Sequence, residues 1–301
     1  MNALKNISIA HLGPPGTYAE QAAAFYVNWL AEKIGIIATL YPCPSIAKSL
    51  QAVVDGQTHL AVVPIENSIE GSVTMTMDTL WQLDSLEIQL ALVMPIAHNL
   101  VSRAVSLDSI QTVYSHPQAL AQCQGWLGKF LPNVQLIPSN STTEGLKILN
   151  QDLTAATISS HRAAQLYNLP ILASNINDYA ENCTRFWVVS RSQDTGAVNT
   201  VKDLINTSQN ATHTSLAFSV PANLPGALLK TLRVFAELGI NLSRIESRPT
   251  KRSLGEYLFF IDLEAGKNEA QMQSALTQLT MHTEVIKIFG SYHVLPINFE
   301  R

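Results

Sequence analysis

The sequence has little charge, few cysteines and no concentrated run of basic residues. Its 301 residues include 19 Lys and Arg and 23 Asp and Glu, so charged residues make up 14% and the net charge is −4. Nucleic-acid-binding proteins carry a clustered excess of positive charge, so we expect no nucleic-acid partner. The three cysteines, Cys43, Cys123 and Cys183, are widely spaced. They suit reduced thiols in the cytoplasm better than a disulfide framework.

Long apolar segments and the motifs of common cofactor and metal sites are also missing. The first ten residues lack the features of a signal peptide, and the longest apolar run, Ile88 to Ala97, is too short to span a membrane. Gly13 and Gly16 complete neither a dinucleotide fingerprint nor a P-loop. The eight histidines lack metal-ligand spacing. We therefore expect a cytoplasmic protein with no membrane partner, no metal and no cofactor.

What is present is an apolar fraction of 47%, and the chain is long enough for two domains with cores of their own. Short strands alternate with helices in the first part, which predicts an α/β fold with parallel sheets covered by helices. The spacing of Thr17 and Glu20 predicts a capped helix. The same spacing at Ser141 and Glu144 predicts another helix, Thr143 to Leu149.

The alternation of strands and helices ends near residue 190, which divides the chain. We predict a first domain over 1–190, a polar linker over 191–212 and a second domain over 213–301. The second domain shows the order β-α-β-β-α-β, which is typical of a ferredoxin-like fold. Its predicted elements are Ser215 to Val220, Gly226 to Leu238, Asn241 to Ser247, Tyr257 to Leu263, Glu269 to Leu279 and Val285 to Phe289.

Four junctions between a strand and a helix in the first domain carry polar residues where the helix should begin. Ligands of open α/β sheets bind beyond the carboxyl ends of strands, where the free N–H groups of helix starts attract anions. Several such helix starts around one cleft would be suited to binding a small dicarboxylate. Taken singly, each junction is better explained as an ordinary N-cap. The junctions are His11 to Thr17, Val63 to Ser68, Tyr114 to Gln118 and Ile158 to His161.

A further polar segment, Asn182 to Trp187, places a hydroxyl and a guanidinium at the start of a strand. Its arginine, Arg185, has the geometry to hold a carboxylate through two hydrogen bonds. It would serve as well as the partner of an acidic neighbour, either Asp178 or Glu181. The residue types alone leave this choice open.

These segments resemble the signature motifs of the prephenate dehydratase family, in its monofunctional form with a C-terminal ACT regulatory domain. The motifs occur in the family's order and span nearly the whole chain, and Thr184-Arg185-Phe186 matches the diagnostic Thr-Arg-Phe motif. Ala19 departs from the family, in which many members have Ser. The matching segments are Gly13 to Tyr18, Pro64 to Ser68 with Gly71 to Val73, Ser115 to Leu120 with Gln122 and Cys123, and Asn182 to Phe186.

The resemblance implies a two-lobed catalytic domain, similar to periplasmic binding proteins, with the active site between the lobes. About 1–80 plus 175–190 is expected to form one lobe and about 100–170 the other. It also implies an enzyme of phenylalanine biosynthesis, a carbon-oxygen lyase that converts prephenate to phenylpyruvate, CO2 and water.

The resemblance also assigns roles to residues. Thr184 would be the residue most closely tied to activity, as a hydrogen-bond donor to the departing hydroxyl that relays a proton from water or Glu66. Among the other candidates, His116 would alternatively only cap its helix, and Phe186 would alternatively be a core residue. The candidate substrate contacts are Thr17, Asn67, Ser68, Ser115, His116, Arg185 and Phe186.

The C-terminal part would, by the same resemblance, bind phenylalanine as an effector. ACT domains commonly pair, so a homodimer or homotetramer is expected. The alternative is a dimerisation module whose glycines and proline only shape turns. The candidate effector-binding residues are Asn223, Gly226, Ala227, Leu228, Glu246, Ser247, Arg248 and Pro249.

Three rival functions remain open at this point. Arogenate dehydratase shares the motifs, and one sequence does not separate the two substrates. A non-catalytic protein that binds a small diacid or an amino acid is compatible with a lobed fold. An ACT-containing regulator is disfavoured by the acidic net charge and by the lack of a DNA-binding module.

Overall fold

The structure, a computed structural model, describes residues 7–193, 211–221 and 224–298. Most of the predicted linker, residues 194–210, and the predicted effector contact Asn223 lie outside the described residues. Within those ranges no helix combines the length and the apolarity that crossing a membrane requires. Across the same ranges, no three His, Cys, Asp or Glu side chains meet as a metal site would need.

The first lobe is a mixed sheet covered by helices on both faces. The prediction of parallel pairing holds where β1 runs parallel to β2 and β3, but β11 is antiparallel to both β3 and β5 because it returns from the second lobe. The strand order is β5-β11-β3-β1-β2. The elements are β1 (Ile7–Leu12), α1 (Tyr18–Ile34), β2 (Ala38–Cys43), α2 (Ile46–Val54), β3 (Leu60–Asn67), β4 (Gly71–Ser72), α3 (Thr74–Gln82), β5 (Leu86–Pro95) and β11 (Cys183–Arg191).

The second lobe is a smaller mixed sheet in the order β10-β6-β9-β7-β8. Strands β7, β8 and β9 are parallel, and β6 pairs antiparallel with β9 and β10. The helices are shorter than those of the first lobe. The elements are β6 (Asn99–Ser102), β7 (Thr112–Ser115), α4 (Pro117–Ala121), α5 (Gln124–Phe130), β8 (Gln135–Pro138), β9 (Ala155–Ser159), α6 (His161–Leu166) and β10 (Ile171–Ala173).

The helix predicted over Thr143 to Leu149 is instead a single 3-10 turn, Gly145–Lys147. The predicted capping box does not form, because the Glu144 carboxylate accepts a hydrogen bond from the backbone N–H of Asn140 at 2.7 Å. Gly145 also lies so close to the sheet that a Cβ atom there would be 2.3 Å from Thr157 Oγ1. Residues 140–144 therefore form a polar loop at the edge of the second lobe.

The C-terminal domain confirms the predicted β-α-β-β-α-β order. Its antiparallel strands run in the order β13-β14-β12-β15, and its helices pack on one face over an apolar core that includes Phe218, Phe235 and Leu263. The elements are β12 (His213–Ser219), α7 (Ala227–Glu237), β13 (Leu242–Pro249), β14 (Tyr257–Leu263), α8 (Ala270–Leu279) and β15 (Val285–Pro296).

Strand β15 connects the strands of the C-terminal domain to those of the first lobe. Its first half pairs with β12, and its second half, His293 to Pro296, pairs parallel with β5 of the first lobe. The crossing occurs at Gly290, where a Cβ atom would lie 2.5 Å from the Ile88 carbonyl oxygen, so only glycine permits this approach. The first lobe and the C-terminal domain therefore share one ten-stranded sheet within the described residues.

The apolar core continues across the same boundary. Trp187 of β11 meets Tyr292 of β15 edge-on at 6.3 Å, and Phe260 of β14 stacks on Phe289 of β15 at 5.6 Å. All four side chains are buried and belong to one cluster with residues of the first lobe. The C-terminal domain is thus packed firmly against the back of the first lobe.

Candidate functional site

A cleft of about 810 Å³ lies between the two lobes, at the carboxyl ends of several strands. The first lobe contributes the loop after β1, the ends of β3 and β4 and the first residues of β11. The second lobe contributes the start of α4 and the polar loop 140–144. This is the position where ligands of open α/β sheets bind.

The glycine loop after β1 is held between the lobes. Gly16 has a φ of +88°, and a Cβ atom there would lie 3.1 Å from the Ala163 and Thr143 side chains of the second lobe. Thr17 caps α1 as predicted: its Oγ1 accepts from the Glu20 N–H at 3.3 Å and donates to the Leu12 carbonyl at 3.2 Å. Glycine is needed here for both the backbone conformation and the close approach of the second lobe.

An ion pair ties the same loop to the second lobe. The Glu20 side chain, 4% exposed, accepts two hydrogen bonds from the Arg162 guanidinium, at 2.6 and 2.5 Å. The Glu20 carboxylate also accepts from the Gly16 N–H at 3.3 Å, and Ser160 Oγ donates to the Gly16 carbonyl at 2.9 Å. These contacts hold the two lobes together at one end of the cleft.

The centre of the cleft is an asparagine–threonine pair on adjacent strands. Asn67, at the end of β3, donates through Nδ2 to Thr184 Oγ1 on β11 at 2.9 Å. The orientation of the Asn67 amide is fixed, because its Oδ1 accepts from the backbone N–H groups of Ile69 and Glu70 at 3.0 and 3.1 Å. Since Thr184 Oγ1 accepts from Asn67, the hydroxyl proton of Thr184 is left to donate elsewhere.

A hydrogen-bonded chain extends from this pair across the cleft. Asn67 Nδ2 also donates to Asn182 Oδ1 at 2.9 Å, and Asn182 Nδ2 donates to the side-chain oxygen Oε1 of Gln122 in the second lobe at 2.9 Å. Gln122 in turn donates to Glu70 at 3.1 Å and contacts His98 Nε2 at 2.9 Å. Gln122 is thus the second-lobe residue that joins the Asn67–Thr184 pair to the opposite wall.

The titratable groups beside this chain have shifted pKa values. Burial lowers the pKa of His98, against a smaller opposing effect of its hydrogen bond to Gln122. Burial also lowers the pKa of His116, although the nearby Glu70 carboxylate raises it. Burial raises the pKa of Tyr18, whose hydroxyl lies 2.8 Å from His98 Nδ1. At neutral pH these three side chains are uncharged and act as hydrogen-bonding groups.

The cleft is poor in charge as a whole. Among the lining residues within the described ranges, Lys147 is the only lysine or arginine, while Glu70 and Glu144 are acidic. Most polar groups are hydroxyls and amides. An anionic ligand would therefore be held by neutral donors, backbone N–H groups and one ammonium group. The neutral donors are Thr17, Tyr18, Asn67, Ser72, Thr74, Gln118, Gln122, Asn140, Ser141, Thr142, Thr143, Tyr167 and Thr184.

The structure brings together five of the predicted catalytic and substrate-binding residues. Thr17, Asn67, His116, Thr184 and Phe186 all line the cleft. His116 is also the N-cap of α4, where its Nδ1 accepts from the Gln118 N–H at 3.3 Å. Phe186 is 1% exposed and belongs to the core cluster behind the cleft wall. His116 thus caps its helix and Phe186 packs in the core, as the two alternatives predicted, and both residues also line the cleft.

Four other predicted residues do not line the cleft. Ser115 is fully buried and donates to the Ile158 carbonyl at 2.6 Å, which ties β7 to β9. Ser68 donates to Asn182 Oδ1 at 3.2 Å and accepts from the Cys183 N–H at 3.0 Å. It therefore holds residues that neighbour the Asn67–Thr184 pair.

Glu66 and Arg185 lie on the face of the sheet that points away from the cleft. Arg185 Nη2 lies 2.5 Å from Glu66 Oε2 and 2.9 Å from Asp262 Oδ2 of the C-terminal domain. Its partners are thus neither of the acidic neighbours that the sequence suggested, and one of these, Asp178, accepts from the backbone of the start of α5. The geometry gives no support to a direct substrate contact by Arg185 or to a proton relay through Glu66.

Several cleft residues were missed by sequence reasoning. Tyr18 and Gln122 belonged to matching motif segments but were given no role, and His98 carried no local signal. The loop 140–144, with the sequence Asn-Ser-Thr-Thr-Glu, was interpreted as the start of a helix. Its concentration of hydroxyls was the signal that would have identified it as a cleft wall.

The predicted effector residues fall into two places. Gly226 is exposed in a left-handed conformation at the N-cap of α7, which begins with Ala227 and Leu228. Glu246, Ser247, Arg248 and Pro249 lie on β13, an edge strand of the shared sheet. Arg248 makes a two-pronged contact with Asp78 of α3, at 3.0 and 3.1 Å, so it joins the C-terminal domain to the first lobe.

The fold and cleft define a two-lobed α/β ligand-binding domain that shares a sheet with a ferredoxin-like domain. A family model for prephenate dehydratase matches residues 9–194, and a model for the ACT domain matches residues 214–280. The chain therefore belongs to the prephenate dehydratase family, and the resemblance inferred from the sequence is confirmed.

Similar proteins cover nearly the whole chain. A bifunctional chorismate mutase/prephenate dehydratase of Aquifex aeolicus is 40% identical over 96% of this chain and 74% of its own length. A prephenate dehydratase of Lactococcus lactis subsp. cremoris is 36% identical over 97% of this chain and 99% of its own length. The structure of a prephenate dehydratase of Arthrobacter aurescens in complex with L-Phe has a TM-score of 0.80 and 33% identity, covering 95% of this chain and 90% of its own.

Proposed function

We propose that this protein is a prephenate dehydratase that converts prephenate to phenylpyruvate, CO2 and water. The observation that carries the proposal is the Asn67–Thr184 pair, which presents a hydroxyl donor in the interlobe cleft of a member of this family. The reaction needs a donor at the point where a hydroxyl group departs.

The chemistry matches what such a cleft offers. Prephenate carries two carboxylates and a ring hydroxyl. When the ring carboxylate leaves as CO2, its bonding electrons enter the ring and expel the hydroxyl, which takes up a proton and leaves as water. The ring becomes aromatic, so the driving force lies in the substrate and no cofactor is required.

Thr184 is proposed as the donor to the departing hydroxyl. Asn67 donates to Thr184 Oγ1 at 2.9 Å, which orients the threonine and makes its own O–H a better donor. The proton that completes the water molecule comes from solvent through the hydroxyl, because a threonine is too weak an acid to lose a proton outright.

The remaining cleft groups are proposed to hold the substrate carboxylates. Lys147 and the hydroxyls of loop 140–144 face Thr17 and the start of α1 across the cleft. A cleft with few fixed charges binds a dianion through many weak donors, so no single contact dominates affinity. His116 supplies a further neutral hydrogen-bonding group.

Phenylalanine is proposed as the effector of the C-terminal domain. The support is the match to the ACT family model and the complex with L-Phe of the structurally similar protein from Arthrobacter aurescens. A cytoplasmic homodimer or homotetramer is proposed with it, since ACT domains commonly pair. Isothermal titration calorimetry with phenylalanine tests the effector proposal, and the absence of binding heat at millimolar phenylalanine would reject it.

The deciding experiment measures product formation from prephenate and from arogenate side by side, with purified protein and no added cofactor. We expect faster formation of phenylpyruvate from prephenate. A preference for arogenate would keep the mechanism and change the substrate. Conversion of neither would reject the proposed activity and favour the non-catalytic binding protein.

A further inference from the structure

The ionic contacts behind the cleft converge on one buried carboxylate. Asp262 of β14 is completely buried and lies 2.9 Å from Arg185, the residue that follows Thr184 on β11. Arg185 uses the same Nη2 atom to contact Glu66, the residue that precedes Asn67 on β3. The Asn67–Thr184 pair in the cleft therefore has an ionic counterpart, Glu66–Arg185, on the opposite face of the same two strands.

Asp262 is fixed by its own surroundings. It accepts from Arg244 Nε at 2.8 Å and Nη2 at 3.2 Å, and from Ser215 Oγ at 2.5 Å. Burial by itself would raise the pKa of Asp262, but the guanidinium groups of Arg244 and Arg185 outweigh it and hold the pKa below its ordinary value. Asp262 is thus an ionised group held by several donors, which makes it a rigid anchor for Arg185.

The pairing of β11 with β3 is irregular at this place. Thr184 pairs with Asn67 and Arg185 with Glu66, but Phe186 pairs with Pro64, so a β-bulge interrupts the ladder directly after Arg185. Pro64 also has no N–H group to donate. A bulge loosens the ladder and re-aims the side chains beside it. On its other edge β11 pairs with β5 in unbroken register from Cys183 to Val188. The contact from Arg185 to Asp262 therefore adds support on the side where the β3 ladder is interrupted.

We propose that Asp262 of the C-terminal domain is a positioning residue for catalysis, which acts through Arg185 to hold the bulge and with it the Asn67–Thr184 pair. This inference rests on the proposed function. It assigns to Arg185 a role behind the active site instead of one in substrate binding. It also means that a displacement of β14 relative to β11 would move Arg185 and therefore its neighbour in the strand, Thr184.

The test is a double-mutant cycle on the full-length protein with Asp262→Asn, Arg185→Gln and the double variant, assayed with prephenate. Each single variant is expected to lower kcat by about tenfold or more, because small misplacements of a reacting group have effects of this size. KM is expected to stay within about threefold, because neither residue contacts the substrate. The double variant is expected to be no slower than the slower single variant, because both substitutions break the same contact between Asp262 and Arg185.

Two further variants make the result interpretable. Asp78→Asn removes two other ion pairs between the C-terminal domain and the first lobe, those of Asp78 with Arg248 and Lys251, and is expected to keep kcat within about twofold. Ser215→Ala keeps the charges of Glu66, Arg185, Arg244 and Asp262, and it removes one hydrogen bond to Asp262 together with the contact of Ser215 Oγ with Tyr292 Oη at 2.6 Å. If Asp262→Asn does not fold, Arg185→Gln and Ser215→Ala decide, and both are expected to lower kcat, with Ser215→Ala the milder.

A readout independent of turnover is hydrogen exchange of the peptides that contain Asn67 and Thr184. Faster exchange there in Asp262→Asn and Arg185→Gln, but not in Asp78→Asn, is expected. The inference is overturned if Arg185→Gln raises KM with kcat unchanged, if the effects on kcat multiply in the double variant, or if exchange is unaltered. A wild-type protein that converts neither prephenate nor arogenate rejects the proposed function, and the exchange data still test the link between Asp262 and β11.

Discussion

The cleft and the domain interface differ in the kind of polar group that they contain. The domain interface is the pair of surfaces through which the first lobe meets the C-terminal domain. The cleft is lined mainly by hydroxyls and amides, with Lys147 as its single lysine or arginine among the described residues. The domain interface carries ion pairs, from Arg185 to Asp262, from Arg248 and Lys251 to Asp78, and from Lys287 to Asp84.

This difference follows from what each region has to do. A cleft for a dianion needs hydrogen-bond donors, and its two lining carboxylates, Glu70 and Glu144, each accept a hydrogen bond from a neighbouring group of the protein. The interface has a different requirement. Lys287, for example, donates to the Leu80, Trp81 and Leu83 carbonyls at the end of α3, so it holds that helix against the sheet. Neutral hydroxyls therefore serve the chemistry, and paired charges keep its framework in place.

The largest effect is expected from Thr184→Val, which keeps the shape of the cleft and removes its central hydroxyl. Loss of one donor aimed at developing charge costs roughly 2.7–4 kcal/mol, so kcat should fall about 100- to 1000-fold. Steady-state kinetics with prephenate measures this. Thr184→Ser is the matched control and should recover most of the activity. Turnover of the valine variant within threefold of wild type would remove Thr184 from the mechanism.

The next largest effect is expected from Asn67→Asp. The replacement still accepts from the Ile69 and Glu70 N–H groups but no longer donates to Thr184, whose hydroxyl would turn towards the new carboxylate. We expect kcat at saturating prephenate to fall by about 10- to 100-fold. Ser68→Ala changes a neighbouring residue that does not line the cleft and should stay within about threefold. Equal losses in both variants would argue for general damage to the turn.

An intermediate effect is expected at the contact between the lobes. Arg162→Met leaves the buried Glu20 carboxylate without its guanidinium partner. Hydrogen bonds to charged groups contribute about 1.5–3 kcal/mol, and partial exposure of Arg162 reduces this to about 1–2 kcal/mol of unfolding free energy. Urea denaturation measures the loss. The control Arg103→Met removes an exposed arginine that contacts Asn150, and it should change stability by less than about 0.5 kcal/mol.

A smaller effect is expected at Arg248, for which sequence and structure suggest different roles. If its main contact is with Asp78, then Arg248→Met and Asp78→Asn should shift the phenylalanine response to a similar extent, by less than about fivefold. If Arg248 contacts the effector, only Arg248→Met should weaken phenylalanine binding. Titration calorimetry on both variants separates the two roles, and binding that is unchanged in both would remove Arg248 from the response.

The sequence predicted the strand ends that meet in the cleft, but not which side chains face it. The reason is the same at each place. The polar residues of the predicted junctions Val63 to Ser68 and Tyr114 to Gln118 were expected where a helix begins, whereas the observed strands extend to Asn67 and Ser115, and β11 begins at Cys183. Neighbouring residues of a strand point to opposite faces. Within these extensions Thr184 faces the cleft and Arg185 does not.

The domain interface was harder to predict than the cleft. The order β-α-β-β-α-β identified the C-terminal fold, because its periodicity is local. Nothing local indicates that His293 to Pro296 continue β15 into the first sheet, or that Asp262 finds Arg185 across the boundary. Such pairings depend on how two domains pack, which a single sequence does not encode in its pattern.

The smallest effect is expected in the pH dependence of stability. Burial lowers the pKa of His98 in the folded protein below its ordinary value of 6.5. Between those two pKa values the unfolded chain binds more protons, so the contribution of His98 to stability is present above pH 6.5 and is lost as the pH falls. His98→Gln should therefore flatten the decrease in unfolding free energy between about pH 7.5 and 5.5, measured by urea denaturation. His161→Gln, at an exposed position, is the control. A slope equal to wild type in His98→Gln would mean that His98 does not differ in proton affinity between the two states, and the neutral role given to it in the cleft would then lose its basis.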